Sequence, residues 1–242
     1  MSQTPAIAFA QVSKHYGRVR AVKDVTFQVP SGSFVGLIGH NGAGKSTCLK
    51  MLMGLLRPTE GTVTVDGHDV IASPEAARRA LGAVPEEPAL YEWLTGREHL
   101  EFVRDVRGGG DLDAALELMG MGDDANRLIR EYSQGMRRKT ALAAAMLGQP
   151  KVLLLDESLN GLDPPSAARV KAALARHVQN GGTVVLSTHV VETVQAVADR
   201  VIMLAHGRVV ADEQVAELGD SGLEALFLER IAEELGEGDG TA

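Results

Sequence analysis

A glycine-rich loop that leads into a lysine offers the clearest chemistry in the sequence. The run GHNGAGKST, from Gly39 to Thr47, matches the pattern G-x-x-x-x-G-K-[ST], follows a buried strand and opens an apolar-rich helix. Gly42 and Gly44 let backbone N–H groups turn inward around phosphates, and the helix N-terminus adds its dipole. Lys45 brings a positive charge to the outer phosphates, and Ser46 is placed to ligate Mg²⁺. We therefore expect a nucleoside triphosphate to contact Gly39, His40, Asn41, Gly42, Ala43, Gly44, Lys45, Ser46 and Thr47.

Two adjacent carboxylates follow a second buried strand, in the run KVLLLDE. Open α/β sheets bind ligands at the carboxyl ends of their strands, which is where Asp156 and Glu157 lie. One carboxylate can help to hold the metal together with Ser46 and water. The other can orient the attacking water or accept its proton. A lone strand-end Asp is as often a helix N-cap. Their combination with the lysine loop favours the catalytic interpretation.

A histidine ends a third buried strand, TVVLSTH. The expected sheet order places His189 near the γ-phosphate, although a strand-end His is more often a packing or loop residue. The chain has 7 histidines and 1 cysteine, and no His lies at metal-ligand spacing from Cys48, so we expect no zinc site. Cys48 itself is expected to be a small buried apolar residue.

A second anion site is predicted at the start of another helix, in REYSQGMRRKTALAAAML from Arg130 to Leu147. Ser133 and Gly135 lie where the helix begins, and three cations follow. The lysine loop already surrounds the phosphates of its own nucleotide on one side. The natural target of the second site is therefore a phosphate that another copy presents, which predicts a head-to-tail dimer with nucleotide between the subunits.

The elements that must position these residues indicate an α/β fold. Alternation in DVTFQV and GTVTVDGHDV predicts half-buried antiparallel strands, with Asp66 and Gly67 in a tight turn. The near-continuous apolar runs SFVGLIG, KVLLLD, TVVLSTH and RVIMLA are typical of strands buried on both faces of a parallel sheet. A helix is predicted at PPSAARVKAALARHV, with NGG as its stop.

The segment from Pro88 to Gly148 contains no strand candidate and is predicted to be an inserted helical lobe. Thr95 and Glu98 form a capping-box pair within it, and RGGGD is its flexible joint. We therefore divide the chain into residues 1–87 and 149–220 as ATP-binding core with an antiparallel β subdomain, residues 88–148 as the helical subdomain, and residues 221–242 as a C-terminal helix with an acidic tail.

Composition restricts the class of protein further. The net charge is −8, which argues against a general nucleic-acid binder, and no apolar run reaches the roughly 20 residues that a membrane-spanning helix needs. Hydrophobic residues make up 45% of the chain and aromatic residues only 4%, as expected for aliphatic helices packed on a sheet. The single cysteine excludes an internal disulfide and fits a reducing compartment.

The motifs, taken in order, resemble those of the ATP-binding subunits of ABC transporters over nearly the whole chain. Tyr16 in KHYG is similar to the aromatic residue that stacks on adenine in that family. GHNGAGKST resembles the Walker A loop, and KVLLLDE resembles the Walker B strand, with Glu157 as the catalytic carboxylate. The resemblance implies a P-loop NTPase core that binds ATP and Mg²⁺.

The later motifs extend the same resemblance. YSQGM matches the family signature, in which Ser133 and Gly135 take the places of Ser and the second Gly of L-S-G-G-Q. NGLD, ending at Asp163, resembles the D-loop, and His189 resembles the switch histidine. In the family, the lysine loop of one subunit and the signature of the other enclose each ATP, which agrees with the predicted dimer.

Three positions depart from the family pattern. Glu86 in AVPEEP stands in place of the family's Gln, with Glu87 as the alternative for this register, and can still ligate Mg²⁺. Gln134 replaces the first signature glycine and Met136 the glutamine, and we expect binding to persist because Ser133 and the helix start are kept. Ser158 and Leu159 replace the common Pro-Thr pair, which affects the stiffness of the turn more than its chemistry.

The resemblance implies an ATPase at the cytoplasmic face of the membrane that drives a separate polytopic permease, with export favoured by analogy alone. The surface for that partner would involve residues 86–100, including Tyr91 and Trp93, although these aromatics could equally pack locally. The alternative is a soluble ABC-type ATPase of iron–sulfur assembly or another non-transport complex. A third possibility is a nucleotide-sensing regulator with little turnover, because Glu86 places negative charge beside phosphate.

Overall fold

The fold is a layered α/β arrangement of strands and helices. A computed structural model describes residues 4–219 and 222–237 of the chain. Its strands are Ile7–Tyr16 (β1), Val19–Val29 (β2), Phe34–Ile38 (β3), Glu60–Val65 (β4), His68–Asp69 (β5), Leu81–Val84 (β6), Val152–Asp156 (β7), Thr183–Thr188 (β8), Arg200–Ala205 (β9) and Arg208–Gln214 (β10).

Helices separate most of these strands. The α-helices are Lys45–Leu52 (α1), Pro74–Arg79 (α2), Gly96–Arg107 (α3), Leu112–Met119 (α4), Gln134–Met146 (α5), Pro164–Gln179 (α6), Val191–Gln195 (α7), Val215–Leu218 (α8) and Gly222–Glu237 (α9). Two short 3₁₀ helices, Gly122–Asn126 and Ile129–Glu131, lie between α4 and α5.

A six-stranded sheet positions the predicted chemistry. Its strand order is β10-β9-β3-β8-β7-β6, and the pairs within β9-β3-β8-β7-β6 are parallel. In the pairing of β7 with β8, Asp156 lies opposite Ser187, and in the pairing of β3 with β8, Ile38 lies opposite Thr188. The three strands that precede the glycine loop, the carboxylate pair and His189 therefore end at one edge of the sheet, as the sequence predicts.

A four-stranded antiparallel sheet with the order β2-β1-β4-β5 covers one face of the larger sheet. Asp66 and Gly67 connect β4 to β5 with φ angles of 49° and 76°, which are the positive values that a tight hairpin turn requires. The predicted α/β fold, with a mostly parallel sheet and an N-terminal antiparallel sheet, is confirmed. Strands β1, β6 and β10 are present in the structure but were not among the strands predicted from the sequence.

The core lies on both faces of the large sheet, because alternate residues of each strand point to opposite sides. Leu153 and Leu155 of β7 pack into the apolar cluster that also holds the helices α4, α5 and α6. Val152 and Leu154 pack into the cluster formed with α1 and the antiparallel sheet. The continuous apolar run of β7 is explained by this burial on both sides.

Residues 88–148 contain helices and one isolated β-bridge, between Thr95 and Leu128, and no longer strand within the described chain. The capping box is confirmed: the Glu98 backbone N–H donates to Thr95 Oγ1 at 3.1 Å, and the Thr95 N–H donates to Glu98 Oε2 at 2.8 Å. Gly108, with φ of 79°, ends α3 at the predicted joint. The division of the chain into three parts stays a prediction.

The predicted C-terminal helix is present as α9, with Leu223 buried against the core. The acidic tail beyond Glu237 lies outside the described residues. Across residues 4–219 and 222–237, no helix combines the length and the apolar character that crossing a membrane demands.

Candidate functional site

A cleft at the carboxyl edge of the large sheet brings together most of the predicted site residues. Its volume is about 370 Å³, and we call it the Lys45 cleft. The glycine loop forms one wall, and acidic and imidazole side chains form the other. The lining residues are Ala21, His40, Asn41, Gly42, Ala43, Gly44, Lys45, Ser46, Thr47, Glu86, Glu157 and His189.

Glycine is required where the loop turns into α1. Gly44 is the residue before the helix and has a φ of 108°, a left-handed conformation that L side chains rarely adopt. A Cβ at Gly44 would lie 2.8 Å from the backbone oxygen of Ala21 on β2. The loop is therefore packed closely against the antiparallel sheet, and the first residues of α1 line the cleft, where a helix N-terminus favours an anion.

Lys45 is held inside its own loop. Its Nζ donates to the backbone oxygen of Gly39 at 2.6 Å and to that of His40 at 3.2 Å. Burial lowers the pKa of Lys45, whereas the carboxylates of Glu157, Asp156 and Glu86 act to raise it. The amine is therefore held within its own loop, beside three acidic groups that favour its charged form.

Asp156 is the buried member of the carboxylate pair, with 6% of its surface exposed. Burial raises the pKa of Asp156, the nearby Glu86 and Glu157 raise it further, and the hydroxyls of Ser187 and Ser46 lower it. A divalent cation at this position would offset the cost of holding the buried carboxylate in its charged form.

The oxygen ligands around Asp156 fit Mg²⁺ bound together with a nucleotide. The Ser46 hydroxyl lowers the pKa of Asp156, and the Glu86 carboxylate raises it, so both groups lie in the surroundings of this carboxylate. Among the described residues no group of three or more His, Cys, Asp and Glu side chains is arranged to hold a metal alone. Mg²⁺ commonly takes only one or two protein carboxylates and completes its shell with phosphates and water, so this donor set matches it.

Glu157 leaves the regular strand geometry. Its φ is 49°, an uncommon value for a residue other than glycine, and such backbone conformations concentrate at functional sites. The turn directs its carboxylate into the Lys45 cleft, beside the Gly-rich loop. This backbone conformation is the physical means by which the carboxylate after Asp156 reaches the same cleft, as the sequence analysis expects.

Three side chains fix the Glu157 carboxylate. Oε2 accepts from Asn160 Nδ2 at 2.7 Å and from Thr188 Oγ1 at 3.0 Å. Oε1 lies 3.0 Å from Nδ1 of His189, whose side chain is 56% exposed. The predicted pair of Glu157 and His189 is therefore brought together, and the carboxylate has little freedom to rotate.

Glu86 rather than its neighbour Glu87 lies against the Lys45 cleft. Glu86 lines both this cleft and a second cavity of about 490 Å³, whereas Glu87 lines only the second cavity. The register alternative that the sequence left open is thus decided in favour of Glu86 on position alone. Its role as a metal ligand stays a prediction.

The predicted second anion site, which we call the α5 start (Ser133, Gln134 and Gly135), lies elsewhere on the chain. Ser133 is exposed and caps α5, because its hydroxyl accepts from the Met136 N–H at 3.3 Å. None of the three residues lines the Lys45 cleft, and Gln134 lines the second cavity instead. The two predicted anion sites are therefore separate surfaces of one chain.

Tyr16 and Asp163, which the family resemblance implicates in nucleotide binding, also lie outside the lining of the Lys45 cleft. Tyr16 ends β1 with 48% of its surface exposed, and the amine of Lys14 lies 5.4 Å from its ring centroid. Asp163 caps α6: its two carboxylate oxygens accept from the N–H and the hydroxyl of Ser166 at 2.9 and 2.7 Å. Their proposed contacts would have to be made to a bound nucleotide or to another copy.

Sequence reasoning missed three contributors to the site. Asn160 binds the Glu157 carboxylate, Ala21 of β2 backs the glycine loop, and Arg138 on α5 donates to the backbone oxygen of Asn160. An Asn-Gly pair separated by two residues from the two carboxylates was the available signal for Asn160, because such a pair marks a turn. No local pattern indicates which side chain that turn would contact.

Comparisons with known proteins are consistent with this geometry. A family model described as ABC transporter matches residues 22–160. The chain is 39% identical over 224 residues to the daunorubicin/doxorubicin resistance ATP-binding protein DrrA of Streptomyces peucetius. The aligned region covers 90% of this chain and 68% of that relative. It is 34% identical over 211 residues to the bacitracin transport ATP-binding protein BcrA of Enterococcus faecalis, covering 86% of this chain and 68% of that protein.

Solved structures show the same fold. A structure described as the ATP-binding subunit of an ABC transporter has a TM-score of 0.87 and 30% identity, and the match covers 94% of this chain and 100% of that one. The ATP-binding cassette MJ0796, described as a dimer in a post-hydrolysis state with ADP and Pi, has a TM-score of 0.78 and 27% identity, over 86% of this chain and 98% of that one.

Proposed function

Because this chain belongs to the ABC transporter family and has that family's ATPase cassette fold, we propose that two copies close head to tail around two ATP molecules and drive a separate membrane permease. Each ATP would lie between the Lys45 cleft of one subunit and the α5 start of the other. The observation that carries the proposal is the separation of two anion sites on one chain: one is a formed cleft, and the other is an exposed helix start.

The separation has a direct consequence for assembly. The first N–H groups of a helix have no partner within the helix and attract a phosphate, and at the α5 start that of Met136 is satisfied by the exposed Ser133 side chain. The nucleotide of the same chain is bound at the Lys45 cleft, to which the α5 start does not contribute. A second copy supplies the missing phosphate, and the dimeric cassette MJ0796 supports this arrangement by similarity.

The residues of the cleft then take distinct tasks in ATP hydrolysis. Lys45 moves its amine from the carbonyls of its own loop to the outer phosphates, and the loop N–H groups bind the remaining oxygens. Glu157 orients the attacking water and accepts its proton, because it is the carboxylate that faces the cleft beside the loop. His189 stabilises the same carboxylate through Oε1.

Mg²⁺ would be held by Ser46 and Asp156, with Glu86 as a further ligand in place of the family's Gln. When bound, the ion neutralises charge that develops on the phosphate oxygens. Glu86 adds one negative charge to the proposed ligands, so we expect tighter binding of Mg²⁺ than in a chain with Gln at this position. Glu86→Gln should raise the Mg²⁺ concentration needed for half-maximal hydrolysis.

The proposed permease contact is the surface of residues 86–100. Trp93 is 75% exposed and Tyr91 is 58% exposed, and both lie in the segment that joins Glu86 to α3. The Arg130 guanidinium lies 4.6 Å from the Trp93 ring, and Tyr91 packs edge-on against Phe102. Aromatic and arginine side chains held in place in this way are typical of protein interfaces.

Export is the proposed direction, because the relatives named for bacitracin transport and for daunorubicin/doxorubicin resistance cover most of this chain. The proposed location is the cytoplasmic face of the membrane, as a peripheral subunit. Expression together with the multi-span membrane protein of a neighbouring reading frame tests this directly. We expect co-purification in detergent and ATP hydrolysis that the membrane protein stimulates.

Two outcomes of that experiment would change the assignment. Recovery only in soluble complexes would favour the non-transport alternative, such as iron–sulfur assembly. ATP-driven dimerisation with negligible phosphate release, even with the membrane protein present, would favour the nucleotide-sensing regulator. Trp93→Ala should weaken co-purification without changing ATP binding, because this side chain lies outside the Lys45 cleft.

A further inference from the structure

The turn that follows β7, residues 157–163, links the two anion sites within one chain. We propose that Asn160 is a positioning residue for the Glu157 carboxylate, and that Arg138 on α5 fixes Asn160 in turn. This inference rests on the proposed function, because it concerns the step that Glu157 performs. It gives Asn160, the first residue of NGLD, and Arg138, one of the three cations after Gly135, specific tasks that the sequence patterns do not assign.

The first link is a hydrogen bond to the reacting carboxylate. Asn160 Nδ2 donates to Glu157 Oε2 at 2.7 Å, and the Asn160 backbone N–H donates to the Glu157 backbone oxygen at 3.3 Å. The amide therefore fixes one oxygen, while His189 lies beside the other. A carboxylate held from both ends keeps one orientation toward the cleft, which is what a base that must meet a single water needs.

The second link joins Asn160 to the helix that carries the other anion site. Arg138 Nη1 donates to the backbone oxygen of Asn160. Gly161, with a φ of 73°, makes room for that guanidinium, since a Cβ there would lie 3.0 Å from Arg138 Nη1. Arg138 lies within the first two turns of α5, which begins at Gln134.

The third link is direct packing of α5 on the same turn. A Cβ at Gly135 would lie 3.8 Å from the backbone oxygen of Gly161. The turn therefore rests against the α5 start on one side and against Glu157 on the other. The position of the turn, and with it the Asn160 amide that holds Glu157, is therefore fixed from the side of α5 by Arg138.

The contacts on either side of the turn therefore connect α5 to the orientation that Glu157 has in this chain. The titratable groups that face Glu157 include His189, Lys45 and Asp156, and none of them belongs to α5. Within the described residues, the contact through Asn160 is therefore the direct connection from α5 to this carboxylate.

Steady-state ATP hydrolysis by purified chains tests the inference. Asn160→Ala should lower kcat about tenfold, the effect of losing one hydrogen bond to a charged group, while the KM for ATP stays within twofold. Asn160→Asp is the sharper variant, because it keeps the shape of the side chain but places a second carboxylate against Glu157. We expect it to lower kcat further than Ala does.

The order of these two variants separates positioning from packing. If Asn160 only filled space, the isosteric Asp would be the milder change and Ala the more severe one, and that order would overturn the inference. Asn126→Asp is the matched control, because Asn126 is exposed and its side chain accepts only from Arg97 at 3.4 Å. Circular dichroism and binding of a fluorescent ATP analogue establish that each variant is folded.

A double-mutant cycle tests the link to α5. Arg138→Ala should lower kcat several-fold, and combined with Asn160→Ala it should cause little further loss, because both act through the same carboxylate. Fully additive losses would show that Arg138 does not act through Asn160. Arg176→Ala is the control, because this arginine is exposed in the last turn of α6, and we expect a change below twofold.

The failure of this inference can be told apart from failure of the proposed function. A Glu157→Gln chain that hydrolyses ATP at the wild-type rate overturns the proposed function, and this inference with it. A chain whose hydrolysis depends on Glu157 but is unaffected by Asn160→Asp overturns the positioning role alone.

Discussion

The Lys45 loop and the α5 start are both anion sites at the beginning of a helix, yet the chain completes them to different degrees. Lys45 is only 7% exposed, its amine already has two carbonyl partners, and the loop around it lines a formed cleft. Ser133 is exposed, and its hydroxyl has a single contact, with the N–H of Met136, at 3.3 Å. One site is organised by its own fold, and the other presents a helix end toward solvent.

The difference explains why one chain carries both. A phosphate site that must bind ATP on its own needs charge, burial and fixed geometry before the ligand arrives. A site that must release ADP and phosphate after hydrolysis gains from being on a separate subunit that can move away. We infer that the α5 start contributes affinity only when two chains meet, so each nucleotide controls assembly as well as chemistry.

Glu157→Gln should produce the largest effect, because it removes the proton acceptor of the Lys45 cleft and leaves both anion sites in place. We expect kcat to fall by about 10²–10⁴-fold, with ATP affinity unchanged. Phosphate release measures the first quantity, and equilibrium binding of a fluorescent ATP analogue measures the second. A modest loss of rate would mean that another group accepts the proton.

Lys45→Ala breaks the organised site directly. The affinity of the isolated chain for ATP should fall by about 10–100-fold, because the outer phosphates lose a charge-assisted hydrogen bond. Lys50→Ala is the matched control, since Lys50 lies on the exposed face of the same helix. Equal affinities for the Lys45→Ala chain and the wild type would refute the loop assignment.

Gly44→Ala tests whether the Lys45 loop is organised by its backbone. Its left-handed φ and the 2.8 Å approach to the Ala21 oxygen should cost about 1–3 kcal/mol in the free energy of unfolding and weaken ATP binding. Gly42→Ala separates backbone strain from steric contact. Alanine would be strained at the φ of 87° found at position 42, but no atom lies within 4 Å of the added carbon. Gly42→Ala should therefore be the milder variant in denaturant unfolding.

Ser133→Ala should give the smallest effect in the isolated chain, because the exposed site contributes little there. The loss of one helix cap lowers the free energy of unfolding by about 1 kcal/mol or less. Thr95→Ala removes the side-chain acceptor of a complete capping box, which the Glu98 N–H reaches at 3.1 Å, and should cost more in the same measurement. Weakened ATP binding by the monomeric Ser133→Ala chain would break the distinction between the two sites.

Sequence patterns predicted the elements whose cause is local. The buried runs at β3, β7, β8 and β9, the hairpin turn at Asp66 and the capping box at Thr95 each follow from burial or turn chemistry within a few residues. The glycine loop and Asp156 were found for the same reason. Strand β6 was missed because Leu81–Val84 is only four residues long and forms through pairing with β7.

The parts of the site that depend on distant contacts were not predictable in this way. Nothing near Asn160 shows that its amide meets Glu157 or that Arg138 reaches its carbonyl across 22 positions of chain. Likewise, Ala21 approaches Gly44 only because the antiparallel sheet packs against the loop. Tertiary packing decides such contacts, whereas spacing and composition decide the motifs.

Light scattering of the Glu157→Gln chain, with and without Mg²⁺-ATP, tests the central claim most directly. We expect ATP to double the mass of this chain. Adding Ser133→Arg should return it to a monomer that still binds ATP, because the exposed helix start can no longer receive the partner's phosphate. A chain that stays monomeric with ATP, or a dimer that forms equally well with Arg at position 133, would contradict it.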